Sequence, residues 1–136
     1  MIMAEKTMRL EVITPERFFY QGDAVMVELV TTEGEIGVYP EHIPMTMIVA
    51  PGILTITEAG GTKKQAALMK GFLEITKETM TILAEVAEWP QDIDADRVKI
   101  AKERAKKRLS VKDSQIDQER AELALRRALV REKLIK

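Results

Sequence analysis

All 7 glycines and all 5 prolines of this 136-residue chain lie at or before Pro90, and none follows it. Glycine permits positive φ and proline fixes φ, so a stretch punctuated by both folds into short elements joined by tight turns. A stretch free of both can run on as helix. The chain therefore reads as two modules, residues 1–90 and 91–136, with Pro90 restricting Trp89 to extended conformations at the junction. Charge divides at nearly the same place. Residues 1–91 carry 7 Lys+Arg against 13 Asp+Glu, and residues 92–136 carry 14 against 9. Opposite signs predict different partners for the two modules.

The first module reads as short strands. Leu10 and Val12 alternate with polar neighbours, as do Val25, Val27 and Leu29, and period two places each set on one face. Further apolar, β-branched runs are Ile36 to Val38, Met45 to Val49, Ile53 to Thr57, Gln65 to Leu68, Phe72 to Thr76 and Thr79 to Ala84. Between them lie Glu33-Gly34, Pro51-Gly52, Gly60-Gly61 and Lys77-Glu78, which suit turns. This rhythm predicts a β-sandwich or a barrel, and of the two an antiparallel β-sandwich is the expectation. Met26, Met45, Met47 and Met69 read as core fillers, and Trp89 as packed at the junction.

The second module reads as an antiparallel two-helix hairpin, making the chain α+β. From about Ile93 to Leu109, Val98, Ala101, Ala105 and Leu109 recur at helical spacing. A second segment starts near Ser114, an N-cap with Asp117 three residues on, and Ala121, Ala124, Leu125 and Ala128 form its stripe. The link from Ser110 to Asp113 is short enough to make the helices neighbours. An alanine-rich seam lets helices approach closely but buries little. An alanine methyl contributes less than about 1 kcal/mol, against roughly 1.5–3 kcal/mol for a buried Leu or Ile. Such a hairpin depends on docking against something else and is free to exchange docking partners.

Several functions are excluded. The chain has no cysteine and a single histidine, His42, which removes thiolate chemistry, zinc-thiolate sites and histidine-based relays. Gly60-Gly61-Thr62-Lys63 lacks the frame of a phosphate loop and reads as a turn. No apolar run approaches the roughly 20 residues needed to cross a bilayer. The start MIMAEKTMRL lacks a signal-peptide core. A soluble, cytosolic chain with no metal and no catalytic residues is the expectation.

Residues Thr32 to Pro44, TEGEIGVYPEHIP, resemble the best-marked motif of the epsilon subunits of bacterial F-type ATP synthases, a Gly-x-x-Gly turn running into Pro-Gly-His. Leu10 to Pro15, Gly71 to Ile75 and the order of sandwich before hairpin extend the resemblance over essentially the whole length. Glu41 departs from it, standing where the family usually has glycine. The resemblance implies a non-catalytic rotor subunit of the central stalk that restrains ATP hydrolysis, peripheral on the cytoplasmic face of the cell membrane without inserting into it. By the same resemblance the sandwich binds the gamma subunit and rests on the c-ring, with His42 on the gamma surface and Glu35 on the loop facing the ring.

Some members of that family carry an Ile/Leu-Asp-x-x-Arg-Ala motif and bind ATP as a regulatory ligand. Ile93, Asp94, Arg97 and Val98 match it here, with Val98 bulkier than the family's alanine. The resemblance adds Glu88, Arg127 and Arg131. Guanidinium groups can make charge-assisted bonds to phosphate oxygens, and carboxylates can accept from adenine or ribose. Spacing alone leaves a plainer alternative: Asp94 favours the positive end of its helix, and Arg127 and Arg131, one turn apart, form a solvated face. The resemblance also implies that the opened hairpin carries Arg104, Lys106, Lys107, Arg108, Arg120, Arg126, Arg127 and Arg131 toward an acidic segment of the catalytic head.

Two other classes fit less well. A basic helix pair can track nucleic-acid phosphates, but this one has no aromatic residue for stacking, interleaves acids among its cations and follows an acidic sandwich. A nucleotide hydrolase would need a phosphate loop and a metal-binding carboxylate cluster, and neither is present.

Overall fold

The computed structural model describes residues 6–111 and 114–136. In chain order the elements are β1 Met8–Ile13, β2 Phe18–Thr31, β3 Gly34–Val38, β4 Met45–Val49, β5 Gly52–Glu58, β6 Lys63–Leu68, β7 Gly71–Ile75, β8 Thr79–Ala84, β9 Ala87–Glu88, α1 Ala95–Ser110 and α2 Gln115–Ile135. A single 3₁₀ turn, Pro90–Asp92, joins β9 to the hairpin. The link residues Lys112 and Asp113, like the start before Lys6, lie outside the described residues.

The strands form the expected sandwich. One layer runs β1-β8-β7-β4 and the other runs β3-β2-β5-β6-β9, with the 14-residue β2 serving both. Its first half pairs with β1, from Ile13↔Phe18 to Met8↔Ala24, and its last residue Thr31 pairs with Val49 of β4. Every pairing among the described residues is antiparallel except β1–β8. A parallel pair needs a long connection, which the strands between β1 and β8 supply.

Leu10, Val12, Val27, Leu54, Ile56, Leu73, Ile75, Met80 and Ile82 form the centre of the core between the layers, all essentially sealed from solvent. Gly71 shows how tightly the strands approach: a Cβ there would overlap the carbonyl of Leu83 and crowd Ala84, its register partner on β8. Glycine in the Gly71-Phe72-Leu73 run is thus a packing requirement.

In the sandwich the structure corrects two expectations about faces. Val25 does not share the buried face of Val27 and Leu29, because β2 carries a bulge against β5 between Ala24 and Met26. The extra residue shifts the phase, so the inward side chains are Ala24, Val27, Leu29 and Thr31. Met69 is buried as expected, but Met45 is exposed at the start of β4.

In the hairpin, Ala101 and Ala124 face solvent. The seam reads Val98, Lys102, Ala105, Leu109 on α1 and Ala121, Leu125, Ala128, Glu132 on α2. Both registers satisfy helical spacing. The one adopted admits two charged residues because they neutralise each other: Lys102 Nζ donates to both carboxylate oxygens of Glu132, at 2.9 and 3.1 Å.

Candidate functional site

The site begins with two local devices at the module junction. Asp94 caps α1, its Oδ1 accepting from the backbone N–H groups of Asp96 and Arg97 at 3.0 and 3.2 Å. This stabilises the helix start. Ser114 caps α2 through the N–H of Asp117 at 3.3 Å, as the acidic capping pattern predicts. Trp89 stacks on Phe19, with ring centroids 4.4 Å apart, and meets Tyr20 edge-on. These contacts hold the junction against the sandwich. The short β9, paired with β6 through Ala67↔Glu88, then presents Glu88 toward α2.

Between these elements lies a cleft of about 500 Å³. Glu88 comes from the sandwich edge, Asp92 and Ile93 from the junction, Asp94, Arg97, Val98 and Ala101 from α1, and Ala128 and Arg131 from α2. Six of the seven residues assigned to nucleotide binding therefore border one space. Val98 is buried at its wall, so its extra methyl groups narrow the cleft from the α1 side. Arg131 Nε donates to Glu88 Oε1 at 2.6 Å, a charge-assisted bond across the modules.

Arg127 is the exception. Although it follows Arg131's face one turn earlier, it does not line the cleft. Its Nη2 stands 3.9 Å from Glu85 Oε2. Arg104, in contrast, reaches the cleft rim, where sequence reasoning had placed it only in the basic arm. Its i+7 spacing from Arg97 was the available signal.

The remaining basic residues separate by position. Arg104, Lys107, Arg108 and Arg120 surround a second opening of about 520 Å³ at the far end of the hairpin, with Asp117 among them. Lys106 borders the outer side of α1, and Arg126 is exposed on α2.

A different surface is apolar. Register partners place Ile48, Phe72, Leu83, Ile13 and Phe18 in one row across β4, β7, β8, β1 and β2. Ile48, Phe72, Leu83 and Phe18 are each about half exposed. Directly opposed side chains point to the same side of a sheet, so the row is a continuous face. The turn at Gly34, with φ 114, opens β3 and sets the exposed Glu35 beside it. His42 lies in the following loop, where its Nδ1–H donates to the Ile43 carbonyl at 2.8 Å and leaves Nε2 for a partner. Glu41 adopts φ 66, so the left-handed turn is kept without the family's glycine. No helix among the described residues is long and apolar enough to cross a membrane, and no group of His, Asp or Glu among them could hold a metal ion.

Comparison with known proteins matches the two modules separately. The family described as ATP synthase, delta/epsilon chain, beta-sandwich domain matches residues 7–90, and its long alpha-helix domain matches residues 91–136. The ATP synthase epsilon chain of Caldanaerobacter subterraneus subsp. tengcongensis is 42% identical over 130 residues, covering 96% of this chain and 94% of the relative. That of Halalkalibacterium halodurans is 46% identical over 123 residues, covering 90% and 92%. Among solved structures, a chain of the Euglena gracilis mitochondrial ATP synthase (OSCP, F1 and c-ring) superposes with a TM-score of 0.84 at 25% identity, covering 96% of this chain and 82% of that one. A chain of the Tetrahymena thermophila central stalk and c-ring shares the fold, with a TM-score of 0.68 at 15% identity, covering 98% and 100%.

Proposed function

Since the chain belongs to the ATP synthase delta/epsilon family, we propose that it acts as a non-catalytic subunit of the central stalk whose hairpin restrains ATP hydrolysis and whose folded state is held by ATP. The observation that carries the ATP-linked part is the cleft at the junction. Its walls come from β9, α1 and α2, so it exists only while the hairpin lies folded against the sandwich. A ligand that fills it stabilises that arrangement alone, by an amount that grows as RT ln(1 + [L]/Kd). Arg97 and Arg131 suit the phosphates, and the carboxylates of Asp94 and Glu88 suit the sugar and base.

When ATP is scarce the hairpin leaves the sandwich and extends. The cations at its far end, Arg104, Lys107, Arg108 and Arg120, together with Lys106, Arg126, Arg127 and Arg131, then reach an acidic segment of the alpha/beta catalytic head, and the rotor stalls against hydrolysis. The sandwich stays with the rotor. The apolar row from Ile48 to Phe18 offers the area that docking on a gamma subunit requires, with the His42 loop at the gamma contact and Glu35 toward the c-ring. The subunit would thus sit peripherally on the cytoplasmic face of the cell membrane.

Calorimetric titration of the whole chain with Mg-free and Mg-bound ATP tests this reading. Saturable one-to-one binding, lost in Arg97→Ala, is the expected result. Absence of binding at millimolar ATP would remove the ATP-sensing part. Hydrolysis by a reconstituted complex tests the restraint: it should rise when the hairpin is cut away.

A further inference from the structure

One arginine of the proposed nucleotide set is in an unfinished arrangement. Arg127 Nε is the one side-chain nitrogen or oxygen among the described residues that is buried with no hydrogen-bond partner. Its guanidinium has only Glu85, with Nη2 at 3.9 Å, beyond hydrogen-bonding distance. A buried, unpaired donor on a cation is costly and rare in folded proteins, and a partner supplied by a ligand would satisfy it. One turn along the same helix, Arg131 donates its Nε–H to Glu88 at 2.6 Å and borders the cleft, as does Ala128. Arg127 and Arg131 are one turn apart, about 5–6 Å on a helix face, so the cleft that Arg131 borders is within the length of an arginine side chain.

We propose that Glu85 holds Arg127 in reserve and sets the affinity of the cleft: a nucleotide phosphate draws Arg127 away from Glu85, and the strength of the Glu85 contact fixes how much ligand is needed. The inference rests on the cleft binding a nucleotide. It assigns Glu85, which contacts no part of the cleft, as a positioning residue acting through Arg127. Glu85 belongs to the loop between β8 and β9, where its N–H donates to the Lys70 carbonyl at 2.9 Å, so its place is fixed by the sandwich while Arg127 is free to choose. Glu85 and Glu88 thus have opposite effects. Glu88 meets Arg131 at the cleft and belongs to the site, whereas Glu85 competes with it.

The test is ATP titration of the full chain carrying Glu85→Gln, Arg127→Ala and both together. Weakening an exposed ion pair of this kind changes an equilibrium by up to about five-fold, so Glu85→Gln should lower the Kd several-fold. Arg127→Ala should raise it by roughly ten-fold, the loss of one charged hydrogen bond. In the double variant Glu85→Gln should have no further effect. If Glu85→Gln tightens binding equally with and without Arg127, Glu85 acts only by general charge and the proposal fails. If Glu85→Gln leaves the Kd unchanged or raises it, the proposal also fails while the nucleotide reading stands. No binding by the unaltered chain takes down both. As a second readout, the Nε–Hε resonance of Arg127 should shift on saturation with ATP in the unaltered chain, and a resonance that stays put would overturn the proposed movement.

Discussion

The sandwich and the hairpin are held together by different means. The sandwich core is built from Leu, Ile, Val and Met side chains between two layers, whereas the fully buried positions of the hairpin are Val98, Ala105, Ala121 and Ala128. Burying a Leu or Ile contributes roughly 1.5–3 kcal/mol, and an alanine methyl less than about 1 kcal/mol. The hairpin instead depends on charged contacts: Lys102 with Glu132 inside it, and Arg131 with Glu88 and Arg127 with Glu85 toward the sandwich. Hydrophobic burial gives a module with one structure. A seam of alanines closed by ion pairs gives a module of lower local stability, the kind that opens before the core does.

The contrast can be broken most sharply in the sandwich. Leu54→Ala empties a sealed position and should lower global stability by about 3 kcal/mol, read from the midpoint of urea unfolding. Tyr20→Phe should lower it by about 1 kcal/mol near neutral pH, because the hydroxyl donates to Glu58 at 2.5 Å. Burial, reinforced by Glu58, pushes the Tyr20 hydroxyl well above the usual tyrosine range. Its contribution is therefore present below about pH 10 and fades as pH rises beyond it. The bond from Tyr20, with Lys64 assisting, holds Glu58 below its ordinary 4.5. That contribution is present above pH 4.5 and fades as pH falls below it. Stability of the Tyr20→Phe chain against pH should accordingly lose the alkaline slope and keep only the part of the acid slope that Lys64 supplies.

In the hairpin, Ala124→Gly on the exposed face of α2 should cost about 0.9 kcal/mol, and only locally. Amide exchange should quicken in α1 and α2 while β5 and β8 keep their protection. Equal quickening in the strands would mean that the two modules unfold as one. The smallest effect is a gain: Glu41→Gly should raise sandwich stability by about 0.5 kcal/mol, since relief of the left-handed strain slightly exceeds the flexibility gained by the unfolded chain.

The sandwich and the hairpin were legible because turn residues and apolar period are local signals. The bulge at Ala24 to Met26 was not, since it arises from pairing with β5, which is distant in sequence. The seam was misread for a related reason. Ala101 and Lys102 both suit the spacing, and only the position of Glu132, thirty residues on, decides between them. At the site, the motif from Ile93 to Val98 marked the α1 wall, and Glu88 and Arg131 were drawn to the same cleft. The displacement of Arg127 toward Glu85 carries no sequence signal, because it depends on a rotamer and on the loop after β8.

Trp89 is the last side chain that the sandwich grips before the chain enters the hairpin. The stack on Phe19 clips it there. A pull on the hairpin therefore loads its contacts in succession and not together. Under such a pull the Arg131 and Arg127 contacts would give way one at a time, and the indole would be the last to hold. The β-layers bear load only after that clip fails, so an arm that moved as proposed could be drawn out and returned while the body that carries it keeps its shape.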